Sequence, residues 1–151
     1  VTGLICIGSL YAISASRNDV VGYARIIDGD TVAVGPIHIR LAGIDAPELH
    51  QPCYLHGSPW LCGVQATVAL HDIIDGLQIT CHPSQTDRYG RLIATCYTGA
   101  TDLNRAMVLQ GWAVAYTRYS RAYVDEERQA REAKRGIWSG TFEQPEKWRH
   151  R

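Results

Sequence analysis

Apolar and polar residues alternate along the first half of the chain in the pattern of short β-strands. Ile37, Ile39 and Leu41 alternate with His38 and Arg40, which predicts that the two sets lie on opposite faces of one strand. Apolar runs bounded by Gly, Pro and Asp predict four further strands. They are expected over residues 20–27, 31–34, 77–81 and 92–97.

Apolar residues spaced three and four apart predict three helices. The first is expected from about residue 63 to Gly76, with Val64, Val68, His71 and Ile74 along one stripe. The other two are expected over residues 101–110 and 123–135. Residues 50–62 contain two prolines and one glycine, and they are predicted to form a loop. This order of elements predicts an α+β fold, an OB-type five-stranded β-barrel with three α-helices.

The first sixteen residues carry no charge and are rich in Leu, Ile, Ala, Gly and Ser. The run is shorter than the roughly 20 residues that cross a bilayer, and Ser14-Ala15-Ser16 is typical of a small-residue cleavage site. We interpret residues 1–16 as a signal peptide or membrane-anchor remnant, with an apolar strand packed on the core as the alternative. Residues 17–151 are expected to form a single domain. The predicted location is secreted or periplasmic, with membrane anchoring if the segment is uncleaved.

Five cysteines are present, and one of them lies in the apolar N-terminal run. The other four allow three pairings, and an exported protein favours disulfides because its surroundings are oxidising. The favoured pairs are Cys53–Cys62, which would close the predicted loop, and Cys81–Cys96, which would join the flanks of a hairpin. A zinc site made from Cys53, Cys62, His50 and His56 is a competing hypothesis, although the spacing matches no compact zinc pattern.

The formal net charge is zero, from 15 basic and 15 acidic residues. A nucleic-acid partner would have to be bound through a local basic patch, because the whole protein provides no long-range attraction. Nine of the fifteen basic residues lie from Arg118 to Arg151. This bias permits a basic C-terminal end.

Three carboxylates and two arginines stand in strand-and-turn sequence. Asp30 and Asp45 would supply oxygen ligands of the kind that a hard divalent cation prefers. Glu48 is three residues from Asp45, close enough to orient or deprotonate a water molecule. Arg40 and Arg91 would each donate paired hydrogen bonds to a phosphate group. Each residue alone has an ordinary explanation, such as a surface ion pair, but together they indicate phosphodiester hydrolysis.

Four segments, in this order and at these separations, resemble the staphylococcal nuclease (thermonuclease) family. They are residues 27–32 (IDGDTV), 39–48 (IRLAGIDAPE), 87–91 (DRYGR) and 136–138 (GIW). The resemblance covers about residues 20–139 and implies an OB-fold barrel with three helices. It also implies calcium-dependent cleavage of DNA and RNA by water, with release of the 5′-oxygen and formation of 3′-phosphate ends.

The resemblance implies a metal site and a base. Asp30 and Asp45 would bind one calcium ion through their carboxylates, with the backbone carbonyl of Ala46 as a further ligand. Glu48 would position or activate the attacking water. Ala46 stands where the type member has threonine, so the carbonyl is retained while a hydroxyl that could orient a water is absent.

The resemblance also implies substrate contacts. Arg40 and Arg91 would hold the phosphate, while Tyr89 and Tyr116 would line the nucleotide pocket. Arg88 is expected to meet a neighbouring backbone phosphate. The type member is markedly basic and this chain is neutral, so weaker or more salt-sensitive binding to long nucleic acid is expected.

A non-catalytic OB-fold module that binds nucleic acid or protein is the main alternative, because a fold does not fix a function. Three carboxylates facing a phosphate favour the enzyme, since they would repel the phosphate without a metal ion. A phosphodiesterase for small nucleotides or other phosphate esters is a third hypothesis. The expected partners are DNA and RNA, with no stable protein partner, and the protein is expected to be a monomer.

Overall fold

The computed structural model describes residues 18–151, so the predicted signal segment and its cysteine lie outside the described residues. The strands of this part are β1 (Val20–Tyr23), β2 (Arg25–Asp28), β3 (Thr31–Val34), β4 (Ile37–Leu41), β5 (Ile44–Asp45), β6 (Cys53–Leu55), β7 (Ser58–Trp60), β8 (Gln78–Thr86), β9 (Leu92–Thr98), β10 (Thr101–Asp102) and β11 (Val114–Ala115). The helices are α1 (Cys62–Ile74), α2 (Leu103–Leu109), α3 (Val124–Glu132) and α4 (Pro145–Arg149), with a 3-10 turn over Gly136–Ser139. Within residues 18–151, no helix has the length and apolar character needed to cross a membrane.

The main sheet is curled into a half-barrel with the strand order β1-β8-β9-β4-β3-β2, and β10 pairs with β9. The single strand predicted over residues 20–27 is two strands, because the chain breaks at Ala24. β1 pairs with β8 at one edge and β2 pairs with β3 at the other. One stretch of chain therefore supplies both edges and curls the sheet toward closure. The predicted α+β OB-type fold is confirmed, with six strands along the sheet where five were predicted.

The interior of the half-barrel is apolar and is covered by α1 and α2. Val32, Ile39 and Leu41 are at most 1% exposed and pack in one cluster with residues of both helices. The buried face of α1 consists of Cys62, Gly63, Ala66, Leu70 and Ile74. The stripe predicted through Val68 and His71 is therefore wrong, because both side chains are exposed.

Residues 50–62, predicted as a loop, contain the β6–β7 hairpin. The Cys53–Cys62 disulfide closes this hairpin, and the Cys81–Cys96 disulfide joins residues directly opposite each other on β8 and β9. Both predicted pairs are confirmed. The zinc hypothesis is wrong, because both of its cysteines are in a disulfide. Two disulfides are typical of an extracellular or periplasmic protein.

The C-terminal segment packs on the hairpin. Val114 and Ile137 form a second buried cluster with the Cys53–Cys62 disulfide, and Trp138 and Phe142 pack against it. α4 begins with Pro145 at its first turn, where the missing N–H costs nothing. This fourth helix was not predicted, and it carries the C-terminal segment back toward the barrel.

Candidate active site

Two buried aspartates converge on one arginine. Asp30 directly precedes β3 and is 6% exposed, while Asp45 ends β5 and is 1% exposed. The β3–β4 register pairs Thr31 with Arg40, which brings Arg40 next to the turn that holds Asp30. Arg40 Nη1 lies 3.2 Å from Asp30 Oδ2, and Arg40 Nη2 lies 3.0 Å from Asp45 Oδ1. The predicted convergence of these three residues is present.

The guanidinium of Arg40 is fixed by the backbone as well. Its Nη1 donates to the carbonyls of Leu41 at 3.2 Å and Ile44 at 3.0 Å, while its Nη2 donates to Asp45. A guanidinium has five N–H donors in a rigid fork. Within the described part of the chain, these bonds leave Nε–H and one Nη2–H for an oxygen of another molecule, such as a phosphate.

Burial and mutual repulsion shape the charges of this cluster. Burial raises the pKa of Asp45 to about 6; the charge of Asp30 also raises it, while the hydrogen bond from Arg149 opposes the rise. Burial and the neighbouring Asp30 charge raise the pKa of Asp28 to about 7. Asp28-Gly29 is a common turn sequence, and the Asp28 Oδ1 accepts the Asp30 N–H at 3.0 Å within this turn. Its carboxyl is nonetheless part of the same acidic cluster.

The chain after β5 holds Glu48 close to this cluster. The N–H of Ala46 donates to Asp30 Oδ2 at 2.7 Å, which fixes the turn against the first aspartate. The N–H of Glu48 donates to the buried side chain of Gln51 at 3.1 Å. A Cβ on Gly63 would lie 1.8 Å from the Glu48 carbonyl oxygen, so only glycine lets α1 pack on this turn.

Sequence reasoning missed Arg149, the last residue of α4. Its Nη1 lies 2.7 Å from Asp45 Oδ1 and 2.7 Å from Glu48 Oε1, and its Nη2 lies 3.2 Å from Asp45 Oδ2. Burial lowers the pKa of Arg149, but its hydrogen bonds with Asp45 and Glu48 outweigh burial and raise it. The excess of basic residues near the C-terminus was the one sequence feature that pointed toward such a contact.

The donor chemistry of the acidic cluster fits a hard divalent cation. Asp30 and Asp45 offer carboxylate oxygens in a buried setting that disfavours uncompensated negative charge, as the raised pKa of Asp45 shows. Among residues 18–151, no group of three or more His, Cys, Asp or Glu side chains is arranged to hold a metal ion. An ion at this site would therefore depend on two carboxylates, a backbone carbonyl and water.

The second predicted arginine lies in a different set of contacts. Arg91 Nε lies 2.8 Å from Asp87 Oδ2, and within the described chain Arg91 forms no ion pair with Asp30, Asp45 or Glu48. It lines a groove of about 550 Å³ formed by residues 36–38 and 89–92. The part of β4 in this groove is two residues, about 7 Å, from Arg40. Arg40 is opposite Ile93 in the parallel β4–β9 register, so Arg91 lies two residues before the position opposite Arg40.

The two predicted tyrosines lie in different surroundings. Tyr89 is 69% exposed, and the guanidinium carbons of Arg88 and Arg91 lie 4.9 Å and 5.5 Å from its ring centre. Burial, followed by a hydrogen bond with Glu146, raises the pKa of Tyr116 to about 12. Tyr116 is therefore beside α4, whereas Tyr89 projects from the β8–β9 turn.

Comparison with known proteins identifies the family. Residues 38–140, about two thirds of the chain, match the family model described as staphylococcal nuclease homologue. The chain is 32% identical over 164 residues to micrococcal nuclease from Shigella flexneri, covering 97% of this chain and 87% of that protein. It is 35% identical over 151 residues to Protein ParB from Escherichia coli, covering 88% and 78%. It is 32% identical over 129 residues to succinoglycan biosynthesis protein ExoI from Rhizobium meliloti (strain 1021), covering 83% and 68%.

These findings confirm the resemblance that the sequence motifs indicated. The family match and the relatives named as nucleases support a nuclease function, that of a hydrolase acting on nucleic acid. The chain belongs to the staphylococcal nuclease homologue family.

Proposed function

We propose that this protein is an exported, calcium-dependent, sugar-nonspecific nuclease that hydrolyses DNA and RNA and leaves 3′-phosphate ends. The observation that carries the proposal is the bridging of two buried aspartates by Arg40, with Glu48 beside Asp45. Such a cluster combines oxygen ligands for a cation, donors for a phosphate and a carboxylate for proton transfer.

One calcium ion would be held by the carboxylates of Asp30 and Asp45 and by the carbonyl of Ala46. When bound, the ion would supply positive charge for the negative charge that builds up on the phosphate oxygens. Arg40 would bind the same phosphate through its Nε–H and its second Nη2–H. Arg91 would approach the phosphate from the groove.

Glu48 would act on the attacking water. Its carboxylate accepts a proton from the water as the water oxygen bonds to phosphorus, and the P–O5′ bond breaks. The departing 5′-oxygen takes a proton from solvent, and the phosphate remains on the 3′-oxygen. Arg40, which is fixed beside Asp30 and Asp45, would stabilise the transition state because it does not have to move when the charge develops, and Arg91 would add its positive charge from the groove.

The exposed ring of Tyr89 is suited to stacking on a base, and Arg88 beside it to a neighbouring phosphate. Tyr116, beside α4, is suited to a hydrogen bond with the nucleotide. An aromatic ring can stack on any base, and contacts with phosphate do not distinguish one sequence or sugar from another. These contacts support a nuclease without sequence preference.

The proposal is tested by incubating the protein with DNA, RNA and a short phosphodiester, with calcium and with a chelator. We expect cleavage of both polymers only with calcium, and products that a polymerase extends only after phosphatase treatment. Glu48→Gln keeps the shape of the side chain but cannot accept the proton, so kcat should fall about 10²- to 10⁴-fold. Binding of DNA with no cleavage under either condition would favour the non-catalytic module instead.

A further inference from the structure

Arg149 joins two groups of the proposed active site. Its Nη1 donates to Asp45 and to Glu48 at 2.7 Å each, and its Nη2 reaches the other oxygen of Asp45 at 3.2 Å. Asp45 is 1% exposed on its side chain, so this is not an ordinary surface ion pair. Arg149 also lies beyond residues 38–140, which match the family model.

The fold holds the segment that carries Arg149 by contacts with the β6–β7 hairpin. The N–H of Tyr54 donates to the Thr141 carbonyl and the N–H of Thr141 donates to the Tyr54 carbonyl, both at 2.8 Å. The buried Gln51 side chain donates to the Glu143 carbonyl at 2.7 Å. Gln51 is also the residue that holds the backbone of Glu48. The turn of Glu48 and the segment of Arg149 are thus fixed by the same side chain.

Glu48 depends on Arg149 for the orientation of its carboxylate. The side chain of Glu48 is 30% exposed, and its Oε1 accepts its hydrogen bond from Arg149. A carboxylate at that exposure has several rotamers unless a partner selects one. Asp45, in contrast, is also held by Arg40 at 3.0 Å. Loss of Arg149 would therefore release Glu48 while Asp45 keeps its position.

We propose that Arg149 is a positioning residue of the nuclease site, which fixes Glu48 beside Asp45 and, through its charge, weakens the binding of a cation to Asp45. The inference rests on the proposed function, because it gives Glu48 the task of accepting a proton. A carboxylate offers about four lone-pair sites. The three hydrogen bonds from Arg40 and Arg149 occupy three of those on Asp45, so one is left for a cation.

The two parts of this role predict opposite changes when Arg149 is removed. In Arg149→Ala, kcat should fall about 10- to 100-fold, as is usual when the partner of a reacting group is lost. Calcium, measured by direct titration, should bind roughly three- to tenfold more tightly, because a positive charge beside Asp45 is gone. If the ion pair only anchored α4, its loss would loosen the whole site. Both kcat and the affinity for calcium would then fall, rather than changing in opposite directions.

Added guanidinium ion provides a second readout. It should restore part of the lost rate in Arg149→Ala but not in Glu48→Gln, relative to sodium chloride at the same ionic strength. Arg149→Lys keeps the positive charge, so its calcium affinity should stay near that of the parent protein. It loses the planar guanidinium that binds Asp45 and Glu48 together, so kcat should be reduced. The matched control is Arg151→Ala, which removes a charge two residues away that pairs with Glu143.

The outcomes separate this inference from the proposed function. A parent protein that cleaves nothing with calcium contradicts the proposed function itself. A parent that cleaves, with Arg149→Ala unchanged in kcat or with weaker calcium binding, overturns only the role of Arg149. If Arg149→Ala shows a loss of the folded state in thermal unfolding, Arg149→Lys decides, and a kcat equal to that of the parent counts against the proposal.

Discussion

At the scale of single residues, Arg40 has two tasks that a substitution can separate. It neutralises Asp30 and Asp45, and it is proposed to bind the phosphate through its two remaining donors. Arg40→Lys keeps one positive charge but cannot bridge both carboxylates and bind a phosphate at once. We expect kcat to fall about 10²- to 10³-fold, the usual loss when a fixed donor to the transition state is removed.

Steady-state kinetics on DNA with saturating calcium would measure this loss. Arg25→Lys, an exposed change on β2, is the control and should leave kcat within twofold. Wild-type turnover in Arg40→Lys would show that the guanidinium does not act on the phosphate.

The raised pKa values of Asp28 and Asp45, about 7 and about 6, predict a dependence of stability on pH. Between the ordinary value of 3.8 and these values, the folded protein holds protons that the unfolded chain has released. These two groups therefore lower the free energy of unfolding as pH rises from about 4 to about 7. A calcium ion at the site should offset this loss above pH 7.

Chemical denaturation with a chelator at several pH values would measure the slope. Asp28→Asn should make it shallower, because one of the two groups no longer titrates. Asp125→Asn removes a carboxylate that is 81% exposed and should leave the slope unchanged. An equal slope in Asp28→Asn and the parent protein would contradict this explanation.

At the scale of elements, the two disulfides have different expected effects. Each closes a short loop, and removal of either should lower the free energy of unfolding by about 2–3 kcal/mol. The Cys53–Cys62 disulfide closes the hairpin that binds the Arg149 segment, whereas Cys81–Cys96 lies between β8 and β9. Replacing the first pair with serines should therefore also lower kcat. Replacing the second should not.

Denaturation and turnover of the two double variants would test this difference under the same conditions. Equal losses of kcat in both would indicate a general loosening of the domain. An unchanged kcat without the Cys53–Cys62 disulfide would show that the hairpin does not hold the active site in place.

The elements also show what the sequence could predict. Alternation predicted β4 at the observed residues, because a strand that lines a barrel turns one face to the core, and an apolar run bounded by turn residues predicted β3. The stripe of α1 was misassigned because it passes through the small residues Gly63 and Ala66, whose burial has no strong apolar pattern. Three residues of β6 and five of α4 are too short for periodicity to predict. Arg149 was missed for a related reason: its partner Glu48 is 101 positions away.

At the scale of the whole molecule, more than half of the basic residues after residue 117 are in ion pairs with carboxylates. Five arginines of this stretch are paired with nearby carboxylates in the structure. They are Arg118, Arg128, Arg131, Arg149 and Arg151. The positive charge expected at the C-terminal end of the chain is thus partly cancelled by these ion pairs. Binding to nucleic acid should depend on the arginines around the proposed site.

This cancellation predicts a shallow dependence of DNA binding on salt. With phosphate contacts from Arg40, Arg88 and Arg91, the logarithm of the binding constant should fall with the logarithm of salt concentration with a slope of about −3. Fluorescence anisotropy of a short duplex with Glu48→Gln, which should bind without cleaving, would measure it. Arg88→Gln should reduce the slope by about one, whereas Arg128→Gln, already paired with Asp125 and Glu132, should leave it unchanged. A much steeper slope that Arg88→Gln does not alter would mean that the C-terminal arginines exchange their carboxylate partners for phosphates when DNA binds.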